Sequence, residues 1–145
     1  MKSRRDNCAL TSGALSIGTT VATARTNAVV NYNIKGRTLQ KASTDNLFVL
    51  SGVALAIHQV CAFFLMLDAA GTMTVIQSAI KPAATNPVGY VAGAFEWPED
   101  FDTRVCVGAV LIKSGAAIFT PGATSQAGVA TYINVTDDLG VPIAY

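Results

Sequence analysis

Val60-Cys-Ala-Phe-Phe-Leu-Met-Leu67, then Asp68-Ala-Ala-Gly71, then Thr72-Met-Thr-Val-Ile-Gln77 is the stretch that decides the fold. It reads as apolar strand, turn and second strand. Asp at the first and Gly at the fourth position of the turn suit a type I turn closed by a glycine bulge. That geometry sets Leu67 opposite Met73 and Leu65 opposite Val75.

Upstream, the apolar window Leu47–Leu67 is long enough to cross a bilayer. Ser51, Gly52, His58 and Gln59 interrupt it, no basic cluster marks either end, and the hairpin follows directly, so no membrane span is expected. Val53–His58 has no strong preference of its own and leaves a local helix open. Further back, Val30, Tyr32 and Ile34 alternate with Asn31 and Asn33, the period of a strand with one buried face. Lys35-Gly36 then makes a two-residue turn that sets Tyr32 opposite Leu39. Residues 7–26 are rich in Ser, Thr, Gly and Ala without a period, which suggests an extended arm or an irregular edge segment. The start MKSRRDNCALTSGALSIGTTVATA mimics a secretory signal, but its apolar part is broken by Thr, Ser and Gly, which favours an uncleaved arm.

Downstream, Lys81–Pro87 is a loop of Pro, Ala and Thr, and Val88–Phe95 fits either a glycine-rich strand or a short helix. Val105-Cys-Val-Gly-Ala-Val-Leu-Ile112 is a continuous apolar run, which in a strand means burial on both faces. Ser114-Gly115 is placed to turn it back into Ala116–Thr120, Pro121-Gly122 breaks the chain, and Val129–Thr136 supplies a last strand. The expectation is an all-β (mainly β) chain, a compact sandwich or barrel-like domain of antiparallel hairpins over residues 28–145, with an arm over 1–27.

Composition narrows the function. The chain has 145 residues, the size of one domain, with 51% hydrophobic and 13% charged residues, against roughly 25% charged in a typical soluble domain. So few charges leave much of the surface to small uncharged side chains or to partners. Residues 1–81 hold eight bases and three acids, +5, and the remainder two bases and six acids, −4. The halves either neutralise each other within one fold or attract between neighbouring copies. Cys8, Cys61 and Cys106 are odd in number and far apart, which argues against a disulfide framework and for small core residues made at a reducing site.

Little here resembles an active site. His58 is the sole histidine, lies in an apolar stretch, and reads as a hydrogen-bonded core residue. No zinc-ligand spacing, hydrolase elbow, metalloprotease helix, phosphate loop or dinucleotide fingerprint occurs, so neither a cofactor nor a catalytic residue is expected. Glu96-Trp-Pro-Glu-Asp-Phe-Asp102 gathers four carboxylates, but without the calcium-loop spacing. It reads as an acidic loop in which Trp97 and Phe101 anchor a protein contact or tuck into their own domain. Lys2, Arg4 and Arg5 form a basic tip with no ring nearby for base stacking, so contact with an acidic protein surface is expected rather than nucleic acid. Gly108–Gly128 has one charge, Lys113, and suggests a surface for other chains, with Val110, Ile112 and Phe119 as candidate contacts.

The order of hairpin, Leu-Asp-Ala-Ala-Gly-Thr72, Pro-Val-Gly-Tyr90, and Val-Gly-Ala-Val-Leu-Ile-Lys-Ser-Gly-Ala-Ala-Ile-Phe-Thr-Pro-Gly-Ala-Thr124 resembles small structural proteins of tailed bacteriophages. It is most similar to capsid decoration, or cement, proteins and related head-fibre and tail-fibre modules, from about Ala28 to Val135, with Phe119-Thr-Pro-Gly-Ala-Thr124 as its most telling piece. The resemblance implies a non-enzymatic virion component outside an icosahedral head, often trimeric, bridging major capsid subunits, with Met1–Arg5 as a reaching arm. A carbohydrate- or receptor-binding fibre module, with Trp97 and the acidic loop as its site, is the alternative it leaves.

Overall fold

The computed structural model describes residues 7–82 and 103–134. Those residues form an all-β body with no helix. Its strands are β1 (Asn7–Ala9), β2 (Leu15–Ile17), β3 (Thr23–Thr26), β4 (Val30–Ile34), β5 (Arg37–Lys41), β6 (Phe48–Val49), β7 (Gln59–Asp68), β8 (Met73–Gln77), β9 (Lys81–Pro82), β10 (Arg104–Lys113) and β11 (Ala130–Asn134). All pairings are antiparallel. They make a main sheet in the order β11-β10-β7-β8, with β9 also on β7, and two small sheets, β1-β4-β5 and β2-β3-β6. None of these sheets closes into a barrel, and the layering is that of a sandwich.

The long pair β7 and β10 is the spine. In β7 the period of two sends Cys61, Phe63, Leu65 and Leu67 to one face and Val60, Ala62, Phe64 and Met66 to the other. In β10 the register shifts between Cys106 and Gly108, so Val105 and Val107 share the first face with Val110 and Ile112. A β-bulge inserts one residue and reverses the parity beyond it. The first face packs on Ala9, Leu15, Ala24, Val30, Tyr32, Ile34 and Phe48 of the small sheets. On the second face, Val60, Ala62, Phe64, Met66, Cys106, Ala109 and Leu111 form a separate buried cluster. Burial on both faces is what the unbroken apolar runs require.

Both expected hairpins form in the expected register. Tyr32 pairs with Leu39, Leu67 with Met73, and Leu65 with Val75. Lys35 and Gly36 both take positive φ, 49° and 75°, which defines a type I′ turn. At the other turn the Asp68 carboxylate accepts from the N–H groups of Ala70 (2.9 Å) and Thr72 (2.8 Å), and Gly71 takes φ 77°. The last expected strand is β11, which pairs with β10.

Four expectations are corrected. Residues 7–27 are not an arm: β1 pairs with β4, and β2 and β3 join β6 in a sheet of their own. The small residues that hid their periodicity are there for close packing, since a Cβ on Gly13 would meet Val30 Cγ2 at 2.8 Å and one on Gly18 would collide with Thr23 and Asn46. Val53–His58 is not helical but runs as an irregular loop. Ala116–Thr120 does not return along β10, and makes instead a single bridge, Leu55 to Phe119. His58 is an exposed turn residue with φ 55°, not a core histidine. The segment Val88–Phe95 lies outside the described residues.

Candidate protein-contact surface

Asp68, Tyr32, Tyr132 and the three cysteines are engaged or buried inside the fold. No group of three or more His, Cys, Asp or Glu among them could hold a metal. Asp68 closes a turn, and the Tyr32 hydroxyl donates to the Asp68 carbonyl at 2.8 Å. The Tyr132 hydroxyl donates to Gln126 Oε1 at 2.7 Å, and burial pushes it up to about 12. Cys8, Cys61 and Cys106 are free thiols and all buried. Burial pushes Cys61 up to about 11 and Cys106 up to about 12, so both stay protonated and unreactive near neutral pH.

The sheet has two ends, and the one where β7 begins is built differently from the rest. Two loops meet there, residues 50–58 leading into β7 and 114–128 leaving β10. No Asp, Glu, Lys or Arg occurs between residues 47 and 67 or between 114 and 136. Three polar side chains, Ser114, Gln59 and Gln77, tie the loops together, while Ser51, His58 and Thr120 are exposed. Ser114, 2% exposed, accepts from Gln59 N at 2.8 Å and donates to the Ala56 carbonyl at 2.5 Å. Gln77 grips Val53 twice, its Oε1 accepting from Val53 N (2.7 Å) and its Nε2 donating to Val53 O (2.8 Å). Gln59 Oε1 accepts from Ala56 N at 2.8 Å, and His58 N donates to the Gly115 carbonyl at 3.0 Å. Leu55 and Phe119 exchange both backbone bonds, at 2.9 and 3.0 Å.

That bridge decides what faces outward. Leu55 and Phe119 point to the core, 0% and 2% exposed. Successive side chains of an extended chain alternate, so Ala54, Ala56, Ile118 and Thr120 point to solvent, and all four are exposed. Ile118 is 61% exposed, Val53 68% and Ile57 52%. Val21 and Val49, also exposed, flank the 114–128 loop: the Val21 carbonyl accepts from Gln126 N at 2.8 Å, and Val49 lies against Gly122. These exposed apolar side chains lie on loops without Asp, Glu, Lys or Arg, among exposed Ser51, His58 and Thr120.

Of the candidates read from the sequence, Val110, Ile112 and Phe119 are buried in the chain's own core and offer no outward contact. The apolar run that suggested them is long because β10 is covered on both faces. Lys2, Arg4, Arg5, Trp97 and Phe101 lie outside the described residues. Sequence reasoning missed Val53, Ile57 and Ile118, and the signal that could have raised them was the absence of charge through both loops. Compared with families of known proteins, with curated proteins and with solved structures, the chain matches none.

Proposed function

We propose that this chain is a non-enzymatic structural protein of a virion that binds the outside of a phage capsid and stabilises it by bridging major capsid subunits, working as a homotrimer. The observation that carries the reading is the exposure of Val53, Ile57 and Ile118 on two loops that hold no Asp, Glu, Lys or Arg and are stapled by hydrogen bonds. Large exposed apolar side chains on charge-free loops suit protein contact, and pre-ordered loops lose little entropy when they dock. Cementing needs no turnover, because a protein that binds only the assembled shell stabilises it by mass action. Buried free thiols fit synthesis in the reducing cytoplasm of a bacterial host before placement on the capsid exterior. The partners are then the major capsid protein and further copies of this chain, with neither nucleic acid nor membrane.

The test is to add the purified protein to undecorated expanded heads and follow co-sedimentation and the heads' melting temperature. Saturable binding with a raised melting temperature supports the reading. A protein that stays in the supernatant and leaves the melting temperature unchanged overturns it, and a glycan-binding screen then takes up the fibre-module alternative.

A further inference from the structure

We propose that the second face of the main sheet is a docking surface for this chain's own residues 83–102. The inference is independent of the capsid reading and concerns a different surface from the loops 50–58 and 114–128.

Burial shows that the face has a cover. Val60, Ala62, Met66 and Ala109 are 0–1% exposed, yet among the described residues the partly buried hydrophobic side chains packed on their cluster are Ile76 and Ile133, from the flanking strands β8 and β11 of the same sheet. Neighbours within one sheet lie beside a side chain, not over it. A second layer has to lie on this face, as the small sheets lie on the first.

Topology selects the occupant. Val60 pairs with Lys81 of β9 on one side and with Lys113 of β10 on the other, so β9 ends near the Gln59 end of β7. β10 starts opposite Asp68, at the far end. Both strands are antiparallel to β7 and therefore parallel to each other, and the chain between them must run back along the sheet and cross β7. That path is about 30 Å, and residues 83–102 reach about 65 Å when extended. The first face is already filled by Ala9, Leu15, Val30, Tyr32 and Phe48.

Handedness selects the same face. Even-numbered residues of β7 send their side chains to the second face and their backbone groups toward β8 and β9: the Ala62 carbonyl accepts from Ser78 N at 2.8 Å, and Asp68 N donates to the Thr72 carbonyl at 3.1 Å. For L-residues this puts β9 to the left of β10 when both run upward and the second face is toward the viewer. A connection in front of β7 is then right-handed, the hand of about 98% of such crossovers. Val88, Tyr90, Val91 and Phe95 supply the segment with apolar side chains for that layer.

The thiols of the full chain test this, because Cys106 belongs to the second-face cluster and Cys61 to the first. Replacing residues 88–101 by a Gly-Ser stretch of equal length keeps the connection and removes its apolar side chains. Iodoacetamide should then reach Cys106 about tenfold faster with Cys61 unchanged. Phe95→Asp is a milder version read in the same way. A folded variant in which Cys106 stays as slow as in the wild type overturns the inference. So does a chain cut after Asn134, or a diluted wild type, in which Cys106 alone speeds up, since the cover is then the C-terminal tail or a second copy. Should both variants misfold, which speeds both thiols, the wild type decides by nuclear Overhauser contacts between residues 83–102 and the methyl groups of Ala62, Met66 and Leu111: their presence supports the inference, and their absence overturns it.

Discussion

At the Asp68 end of the main sheet, β7 reverses into β8 through four residues, and one carboxylate satisfies the turn's N–H groups. At the Gln59 end the same strand emerges from a loop whose shape depends on partners far away in sequence: Ser114 holds Ala56 across 58 residues, and Gln77 holds Val53 across 24. The first end is local and polar, and Lys41 crosses Gly71 there. The second is assembled from distant pieces and shows apolar side chains to solvent. Local closure makes an end whose shape is set within a few residues, whereas long-range stapling makes one whose shape depends on Ser114, Gln59 and Gln77 together.

The chain carries its own reporters of this contrast. Cys61 lies near the Gln59 end, where Gln77 Nε2 approaches its sulfur at 3.5 Å, and Cys106 pairs with Met66 near the Asp68 end. Each thiol is buried and raised, so alkylation at pH 8 must wait for local opening. Phe63→Ala should abolish the contrast. Phe63 is fully buried between the sheets in the middle of β7, and its truncation leaves a cavity costing about 3–5 kcal/mol. Both cysteines should then alkylate faster by similar factors. A change confined to one of them would show that the spine does not couple the ends.

Ser114→Ala should come next and act on one end. Removing the hydroxyl leaves the Gln59 N–H and the Ala56 carbonyl without their partner in a 2%-exposed position, a loss of about 1–3 kcal/mol. Cys61 should alkylate faster with Cys106 unchanged. Equal acceleration at both thiols would mean that the loops open only with the whole sheet. Asp68→Ala is the mirror experiment. Water can replace the carboxylate at an exposed turn, so about 1 kcal/mol is expected, read at Cys106 and not at Cys61.

The same contrast explains what was legible in the sequence. Period-two patterns and turn chemistry are local, so the β4–β5 and β7–β8 hairpins and their registers could be read from Val30–Leu39 and Leu65–Val75. Strands β1, β2 and β3 are three or four residues long, too short to show a period, and the glycines, serines and threonines of the segments between them imitate a linker. The bulge at Val107 hid which residues of β10 share a face. On the candidate surface, choosing between Ile118 and Phe119 needed the Leu55 bridge, a contact 64 residues away that no local pattern announces.

The smallest effect sharpens the comparison from the stabilising side. Lys35 sits at φ 49°, a left-handed conformation that asparagine tolerates better than lysine, and Asn-Gly is the preferred pair for a type I′ turn. The backbone bond from Lys35 N to Asn7 Oδ1, 2.8 Å, does not involve the side chain and survives the substitution. Lys35→Asn should therefore stabilise the chain by about 0.5 kcal/mol, visible as a slightly higher midpoint in urea with an unchanged slope. Because β4 docks on the Asp68 end through the Tyr32 hydroxyl, the gain should slow alkylation of Cys106 and leave Cys61 as it was. A gain felt first at Cys61 would place the weak point of the Gln59 end in the small sheets rather than in its loops, and would move the origin of its long-range stapling from Ser114 to the β4–β5 hairpin.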